Sequence, residues 1–401
     1  MNTMPRPGIN LLSEEIQRDP SSTYRRMLRD YPVCQLEPEG IVAICRYDDV
    51  RYALKRADIF SSKAVLKLYQ PEWLSEAGKR DYSIFSQDPP EHTKNRALVN
   101  KAFITKVINR LVSFMGDIAR TQVSSIGSGQ EIDFIEFARH YSYQVSSKIT
   151  GTEGFQSYEE FKEWISLSEA ISLSRPSDEF IEALEAAQVT QTNLLLSVIA
   201  DRRANTRDDL VSELIESELD GMRLDDRMLS SLLELLVSAG VDTVAYTLAH
   251  CVMLLSTDAE LCNVLQGDYS LIPSFIEELL RYDPPTHQLL RKTTTDCEVS
   301  DIKIPSGSLV LLMIGAANRD RGHFDEPDRF ILNRKNSREH LAFGVGPHAC
   351  IGAALARKEV EILVRHLLEC FSHISVPSSD QLQWVASINS RAPKRLPVVF
   401  T

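Results

Sequence analysis

Cys350 stands in a stretch of sequence, FGVGPHACIG at 343–352, whose residue types could prepare a thiolate for chemistry. We call this stretch the Cys350 loop. The two glycines and the proline that precede Cys350 predict a tight, rigid turn, because glycine permits backbone shapes that other residues forbid. The apolar residues that follow predict a long amphipathic helix over 351–371. Free N–H groups and the dipole at the start of a helix favour a thiolate, which could bind a soft metal or react with an electrophile.

The residues alone leave other uses of Cys350 open. The thiol could be a structural group in a turn. Zinc is poorly matched, because His348 and Cys350 offer only two ligands and no second pair lies at zinc spacing. A catalytic thiol nucleophile needs a base, which His348 could supply, and the protein would then be a thiol hydrolase.

A second group of small and polar residues lies in the middle of a helix predicted over 225–255, which is apolar on nearly every side and therefore buried all round. Ala239 and Gly240 would leave room beside it for a flat cofactor and a diatomic ligand. Thr243 can bond back to the carbonyl of Ala239 and locally open the helix. A buried Asp242 is unfavourable unless it has a partner or a function. A helix with a tolerated glycine and a capped polar pair is the alternative.

Composition restricts the class of protein. Hydrophobic residues make up 43% of the chain and charged residues 25%, which is typical of a globular protein. The net charge of −12 is unsuited to nucleic acid. Seven cysteines without a C-x-x-C pair indicate neither a disulfide framework nor a zinc ribbon. We find no long apolar run that could span a bilayer and no secretory signal, so we expect a cytoplasmic protein without a membrane segment.

The pattern along the chain predicts a mainly α protein with a smaller β-rich region, organised as a single domain over 1–401. Helical spacing dominates from about 92 to 256. Further elements are helices over 20–30, 47–56 and 273–282, a hairpin of strands at 33–36 and 41–45, strands at 302–304 and 309–314, a closing hairpin over 382–399, and a loop over 61–85.

The Cys350 loop resembles the haem-binding signature of the cytochrome P450 family, F-G-x-G-x-H-x-C-x-G, at every fixed position. The resemblance implies a triangular helical prism, with haem b between the long central helix and the helix that follows the Cys350 loop. Cys350 would be the iron ligand and would push electron density onto the metal. Phe343, Gly344 and Gly352 would complete the loop around the sulfur, and His348 would reach a haem propionate.

The same resemblance extends to about residue 92. Ala239 and Gly240 are similar to the family's oxygen-binding groove, in which an acid–alcohol pair, here Asp242 and Thr243, relays protons to dioxygen. Three further cations, His92, Arg96 and Arg291, would join His348 in binding the propionates. Glu278 and Arg281 resemble the family's structural Glu-x-x-Arg pair, whose third member we assign to Arg329, with Arg334 as the other candidate. The expected substrate-facing residues are Leu235, Leu236, His287, Leu289, Leu290 and Ile388.

We therefore expect a haem-thiolate monooxygenase that inserts one oxygen atom from O2 into a small lipophilic substrate, by hydroxylation or epoxidation, in natural-product tailoring. No reductase segment or Rossmann fingerprint is found, so electrons would come from a separate ferredoxin and ferredoxin reductase. The expected docking face for this donor to a monomeric enzyme is a basic patch formed by Arg357, Lys358, Arg365, Lys94, Lys101, Lys106 and Arg110.

Two alternatives remain, one within this class of enzyme and one outside it. One is an atypical P450 that couples phenols, desaturates, rearranges or uses peroxide. The other is a non-catalytic haem-binding sensor or partner protein, which would not need the Asp242–Thr243 pair.

Overall fold

The computed structural model describes residues 4–38, 40–63, 70–75, 84–102, 105–169 and 175–401. Most of the described chain is helical, which confirms the predicted fold class. The helices are α1 Glu14–Arg18, α2 Ser21–Asp30, α3 Tyr47–Lys55, α4 Glu91–Ala102, α5 Thr105–Ser124, α6 Phe134–Thr150, α7 Tyr158–Glu169, α8 Asp178–Ala204, α9 Leu210–Glu216, α10 Asp226–Thr257, α11 Ala259–Gly267, α12 Ile272–Tyr282, α13 Ile314–Ala317 and α14 Ala353–Cys370, with short 3-10 turns at Ile84–Ser86, Tyr269–Leu271, Ser337–Glu339 and Ser379–Gln381.

Local sequence explains where several helices begin and end. The side chains of Ser177, Asp209 and Asp258 accept hydrogen bonds from backbone N–H groups in the first turns of α8, α9 and α11. Such caps satisfy N–H groups that have no partner within the helix. Helix α12 has a proline in its first turn and stops at Tyr282, before the prolines at 284 and 285. Proline fits the first turn but disfavours helical backbone at the residue before it.

The strands form small sheets. They are β1 Val33–Gln35, β2 Val42–Ile44, β3 Phe60–Ser61, β4 Glu131–Asp133, β5 Glu218–Leu219, β6 Met222–Arg223, β7 Leu289–Thr293, β8 Cys297–Val299, β9 Ile302–Ile304, β10 Leu309–Leu312, β11 Ile374–Ser375 and β12 Pro397–Phe400. The largest sheet has the order β1-β2-β10-β7-β3, in which β2 and β10 are parallel and the other pairs antiparallel. The predicted hairpin of β1 and β2 is present, with Val33 opposite Ile44.

The chain divides into two compact units. The first unit contains Met1–Ser61, Met115–Tyr141 and Asp242–Thr401, and the second contains Ser62–Phe114 and Ser142–Val241. In the first unit, apolar side chains of the five-stranded sheet, α3 and α13 form a buried core that includes Ile44, Val50 and Phe324. In the second unit, Phe161 and Trp164 of α7 pack with Val237 and Val241 of α10. The single-domain organisation stays a prediction.

Two sequence predictions of strands need correction. The predicted strand over 309–314 ends at Leu312, because α13 begins at Ile314. The closing hairpin over 382–399 is only partly formed: a bridge joins Trp384 to Pro393, whereas β12 pairs with β11 and β4. Most of the loop predicted over 61–85 lies outside the described residues.

The prediction that no apolar run could span a bilayer needs correction, because helix α10 is long and apolar enough to do so by length and composition. Its best 18-residue window has a mean hydropathy of 1.5, and 56% of that window is buried inside the protein. The burial is typical of a core helix, which passes the same test of length and composition.

Candidate active site

The Cys350 loop is held by hydrogen bonds between its own backbone groups. The N–H of Cys350 donates to the carbonyl of Phe343 at 2.8 Å. Gly344 and Gly346 have φ angles of 62° and 81°, in the left-handed region that glycine adopts easily. Helix α14 begins three residues after Cys350, and the cysteine is exposed. The loop therefore presents the Cys350 thiol at the positive end of a helix dipole, as the spacing predicts.

The other cysteines are less suited to binding a metal. Four are buried, and burial raises the pKa of Cys34 to about 12, so its thiol stays protonated. These four are Cys34, Cys45, Cys251 and Cys262. Cys370 is exposed but ends α14, where the negative end of the dipole disfavours a thiolate. Among the described residues, no group of three or more His, Cys, Asp and Glu side chains could hold a metal ion. The chemistry therefore concentrates on Cys350.

The small residues of α10 have two different surroundings. Ala239 is exposed although most of the helix is buried, so this position has open surface that a flat group could cover. Gly240 instead faces α6, because a Cβ added there would lie 3.1 Å from Oγ of Ser146. The hydroxyl of Ser142 also donates to the Gly240 carbonyl at 3.4 Å. The absence of a side chain at Gly240 is thus explained by helix packing, and the predicted room for a cofactor rests on Ala239.

The predicted relay acid, Asp242, is ion-paired. Arg139 of α6 donates from Nε to Oδ1 of Asp242 at 2.6 Å, and its Nη2 donates to the hydroxyl of Tyr246 at 3.1 Å. The side chain of Asp242 is only 12% exposed, so the cation offsets the unfavourable burial of a carboxylate. Thr243 follows it on the continuous helix α10, and Thr247 donates to the Thr243 carbonyl at 2.8 Å.

The predicted propionate cations divide between the units. In the first unit, Arg291 of β7 is 4% exposed and donates to the Leu290 carbonyl at 2.7 Å, and His348 lies half-buried in the Cys350 loop. In the second unit, His92 is 1% exposed and lies on α4 with Arg96. Burial, and then the charge of Arg96, lowers the pKa of His92. The buried guanidinium of Arg291 and the N–H donors of the histidines suit a ligand with carboxylates. That all four bind one haem stays a prediction.

The Glu278–Arg281 pair is completed by Arg334, so the assignment to Arg329 is wrong. Arg281 donates from Nε and Nη2 to the Glu278 carboxylate at 2.9 and 2.8 Å, and Arg334 Nε lies 3.0 Å from both Glu278 oxygens. Arg281 and Glu278 are fully buried. The Arg329 side chain is 72% exposed and pairs with Glu326, while only its backbone carbonyl reaches the buried group. The two arginines share the Glu278 carboxylate and donate their other N–H groups to five backbone carbonyls, those of Asn318, Asp325, Glu326, Pro327 and Arg329.

Two predicted substrate residues are buried instead. His287 is 4% exposed, with Nδ1 at 2.7 Å from the Tyr24 hydroxyl and Nε2 at 3.2 Å from Asp283. A Cβ on Gly315 would lie 2.8 Å from His287 Nδ1, so no other residue fits beside this ring. Leu290 is 5% exposed and pairs with Leu311 within the sheet. Both side chains are therefore bound within the structure of the first unit, and their contact with a substrate stays a prediction.

The remaining substrate candidates keep accessible surface. They are Leu235 and Leu236 in the second unit and Leu289 and Ile388 in the first, all half-buried. The segments around the last two are joined, because the N–H of His287 donates to the Asn389 carbonyl at 2.7 Å and a bridge links Thr286 to Ser390. Two of the predicted segments therefore adjoin within the first unit, and their role in binding a substrate stays a prediction.

The predicted basic face is largely neutralised by its own carboxylates. Arg357 pairs with Glu277, Lys358 with Glu361, Arg365 with Glu369 and Arg110 with Asp208, at 2.5 to 2.8 Å. Lys101 donates to the carbonyl of Glu218, and Lys94 is exposed. The Lys106 side chain lies outside the description. The electrostatic attraction of this face for an acidic donor is therefore weaker than the sequence indicates.

Two arginines that contact acidic residues directly were not predicted, because they lie far from those residues in the sequence. Arg139, which pairs with Asp242, lies 103 residues before it. Arg391 pairs with Asp283 at 2.6 Å across 108 residues. Glu277 was also missed. Its position directly before Glu278 on an amphipathic helix could have indicated its burial.

The fold and the site together define a class. A mainly helical chain with an exposed cysteine on a glycine loop at a helix N-terminus, and with the buried Arg291 in the same unit, is typical of a haem-thiolate protein.

Comparisons with known proteins agree. The sequence model of the family described as "Cytochrome P450" matches residues 8–387. The chain is 34% identical to "Cytochrome P450 107B1" of Saccharopolyspora erythraea, with 99% of each chain covered. The solved structure of cytochrome P450 CYP109Q5 from Chondromyces apiculatus superposes with a TM-score of 0.88 at 30% identity, covering 98% of each chain. The structure of the Bacillus subtilis 168 bacillaene polyketide synthase cytochrome P450 PksS has a TM-score of 0.86 at 27% identity, covering 98% of this chain and 100% of that one.

The chain therefore belongs to the cytochrome P450 family. Its cofactor is haem b, and its enzyme class is monooxygenase, an oxidoreductase that uses O2 and electrons from a redox partner.

Proposed function

We propose that this enzyme inserts one oxygen atom into a C–H or C=C bond of a small lipophilic molecule, as a tailoring step on a natural product. The observation that carries the proposal is the exposed thiol of Cys350, on a loop that is held by its own backbone hydrogen bonds at the N-terminus of α14. In this position the sulfur is favoured as a thiolate, and a thiolate ligand supports oxygen activation by haem iron.

Different residues of the chain would hold different parts of the cofactor. When bound, haem supplies the activation of dioxygen. Cys350 would hold the iron. Arg291 and His348 in the first unit, and His92 and Arg96 in the second, would bind the two carboxylates of the cofactor. Phe343 and the glycines at 344 and 352 would hold the sulfur in place.

Asp242 and Thr243 would move protons. Their order on α10, an acid directly before an alcohol with the exposed Ala239 one turn earlier, supports this role. Because Asp242 is paired with Arg139, its carboxylate must exchange that partner for a water or for Thr243 to pass a proton on.

The proposed substrate class rests on the apolar candidates that keep accessible surface, Leu235, Leu236, Leu289 and Ile388. A natural product is favoured because the similar structure PksS is described as part of bacillaene polyketide synthase. We further propose a ferredoxin with its reductase as the electron donor, and a monomeric, cytoplasmic enzyme.

Ligation is tested first by the absorption spectrum of the reduced, carbon monoxide-bound protein. The wild type should give the strongly red-shifted Soret band of thiolate ligation, and Cys350→Ala should lose it. A colourless protein, or an unaltered band in the variant, would overturn the proposal.

The proton role is tested by Thr243→Ala with a surrogate ferredoxin system. We expect more hydrogen peroxide and less product per electron pair, with Thr247→Ala, one turn further along α10, as the matched control. An equal yield of product per electron pair in both variants would exclude the relay.

The identity of the products separates hydroxylation and epoxidation from phenol coupling or desaturation. Lipophilic compounds that shift the spin state of the haem narrow the substrate class.

A further inference from the structure

Arg357, which the sequence places on the expected donor face, is half-buried and bound to a buried carboxylate. It lies on the second turn of α14 and donates from Nε and Nη2 to the two Glu277 oxygens at 2.5 and 3.0 Å. The carboxylate of Glu277 is 4% exposed, and the arginine side chain 35%. Bidentate pairing of this kind fixes both the position and the plane of a guanidinium.

The guanidinium also packs on the Cys350 loop. The Arg357 Cζ lies 4.4 Å from the centroid of the Phe343 ring, close enough for a cation–π interaction. His340 approaches the same ring, with its centroid 5.7 Å from that of Phe343, and its Nε2 lies 3.4 Å from Glu277. Glu277 thus joins two groups that both contact Phe343.

Phe343 is in turn coupled to the cysteine, because its carbonyl accepts the N–H of Cys350 at 2.8 Å. A displacement of Phe343 therefore displaces the backbone that carries the sulfur. The Nη1 of Arg357 also donates to the carbonyl of Ala353, in the first turn of the helix that follows the cysteine.

We propose that the Glu277–Arg357 pair, packed on Phe343, is a positioning device that sets the reduction potential of the haem. The inference rests on Cys350 as the iron ligand. Reduction adds a negative charge to the centre, which a nearby guanidinium stabilises and a nearby carboxylate opposes. In the pair the two charges nearly cancel, so removing either one alone shifts the potential, and in opposite directions.

The test is a spectroelectrochemical titration of the haem-loaded protein. Arg357→Gln should lower the equilibrium constant for reduction by about threefold or more, which is about 28 mV towards more negative potential for one electron. Glu277→Gln should raise it by a similar factor. Arg357→Lys keeps the charge but loses the planar, bidentate contact, and should shift the potential in the same direction as Arg357→Gln by a smaller amount.

Arg365→Gln is the matched control. Arg365 lies two turns further along α14 and pairs with Glu369 at the surface, so its loss should leave the potential unchanged. Potentials equal to the wild type in the Arg357 and Glu277 variants, or shifts of the same sign in both, would overturn the inference.

The reduced, carbon monoxide-bound spectrum of the wild type separates the two levels of failure. Without the thiolate band, the assignment of Cys350 itself is wrong. With that band and unshifted potentials in the variants, only the role of the Glu277–Arg357 pair is wrong. If Arg357→Gln does not retain haem, the comparison of Arg357→Lys with Arg365→Gln decides the question.

Discussion

Arg139 and Asp242 form an ion pair with a distance of 2.6 Å between Nε and Oδ1, so the acid predicted to relay protons has a cationic partner from another helix. The Asp242 side chain is 12% and the Arg139 side chain 27% exposed, which places the pair between a surface and a buried salt bridge. Solvent screens it only in part, and the loss of one partner leaves a charge with little hydration.

We therefore expect Arg139→Gln to reduce the free energy of unfolding by about 1 to 3 kcal/mol. The control is Arg120→Gln, because Arg120 and Asp117 form a pair on α5 in which both side chains are 66% exposed. Surface pairs of this kind contribute about 0 to 1 kcal/mol. Urea unfolding of the three proteins measures the difference, and equal losses for both variants would contradict the partly buried character of the Arg139 pair.

The two arginines near Glu278 give a second comparison. Arg334 is 9% exposed and contacts both carboxylate oxygens, whereas the Arg329 side chain is exposed and bonded to Glu326. Arg334→Gln should destabilise the protein by about 3 to 5 kcal/mol, because it leaves a buried charge without one of its partners. Arg329→Gln should change stability by less than about 1 kcal/mol. Thermal unfolding and the fraction of protein that retains haem test this, and a stronger effect at Arg329 would contradict the structure.

Sequence reasoning succeeded where the chemistry is local. The Cys350 loop precedes its helix directly, and Glu278 and Arg281 are three residues apart on one helix, so their spacing alone predicts their geometry. Arg334 follows Glu278 by 56 residues and Arg329 lies five residues before Arg334, in a region without regular structure, so no periodicity tells which side chain turns inward. The pairing of Arg139 with Asp242 depends on how two helices pack, which side-chain spacing does not encode.

His287 shows a different limit. The sequence places His287 among the expected substrate-facing residues, in a segment expected to line a cavity. Its actual partner, Tyr24, lies 263 residues away in the chain and fills the space beside it. The sequence could not indicate this burial, because a buried polar side chain depends on a hydrogen-bond partner that only the folded chain provides.

The buried histidines predict a pH dependence of stability. Burial lowers the pKa of His287 to about 4, although Asp283 opposes the shift, and burial also lowers the pKa of His250. A folded-state pKa below the unfolded value of 6.5 means that the unfolded chain binds protons first. Stability is therefore retained above about pH 6.5 and falls as the pH drops towards 4, by about 3 kcal/mol for His287.

Urea unfolding midpoints between pH 7 and 4 measure this slope. His287→Gln keeps a donor and an acceptor but does not titrate, so its midpoint should depend less on pH than that of the wild type. His373 is exposed, and His373→Gln should keep the wild-type slope. An unchanged slope in His287→Gln would show that this ring is not the titrating group.

Gly346 tests whether the shape of the Cys350 loop depends on glycine. Its φ of 81° disfavours a side chain, and a Cβ there would lie 2.9 Å from the carbonyl oxygen of Leu54, closer than a carbon atom can approach. Gly346→Ala should therefore destabilise the protein by about 2 kcal/mol or more and reduce the fraction that retains haem. Gly116, in the middle of α5, has open space around its Cα, and Gly116→Ala should leave stability unchanged or raise it by about 0.5 to 1 kcal/mol. Thermal unfolding and haem content of the two alanine variants make the comparison. Similar behaviour would mean that the loop adapts to a side chain, and the rigid presentation of Cys350 would then need another cause.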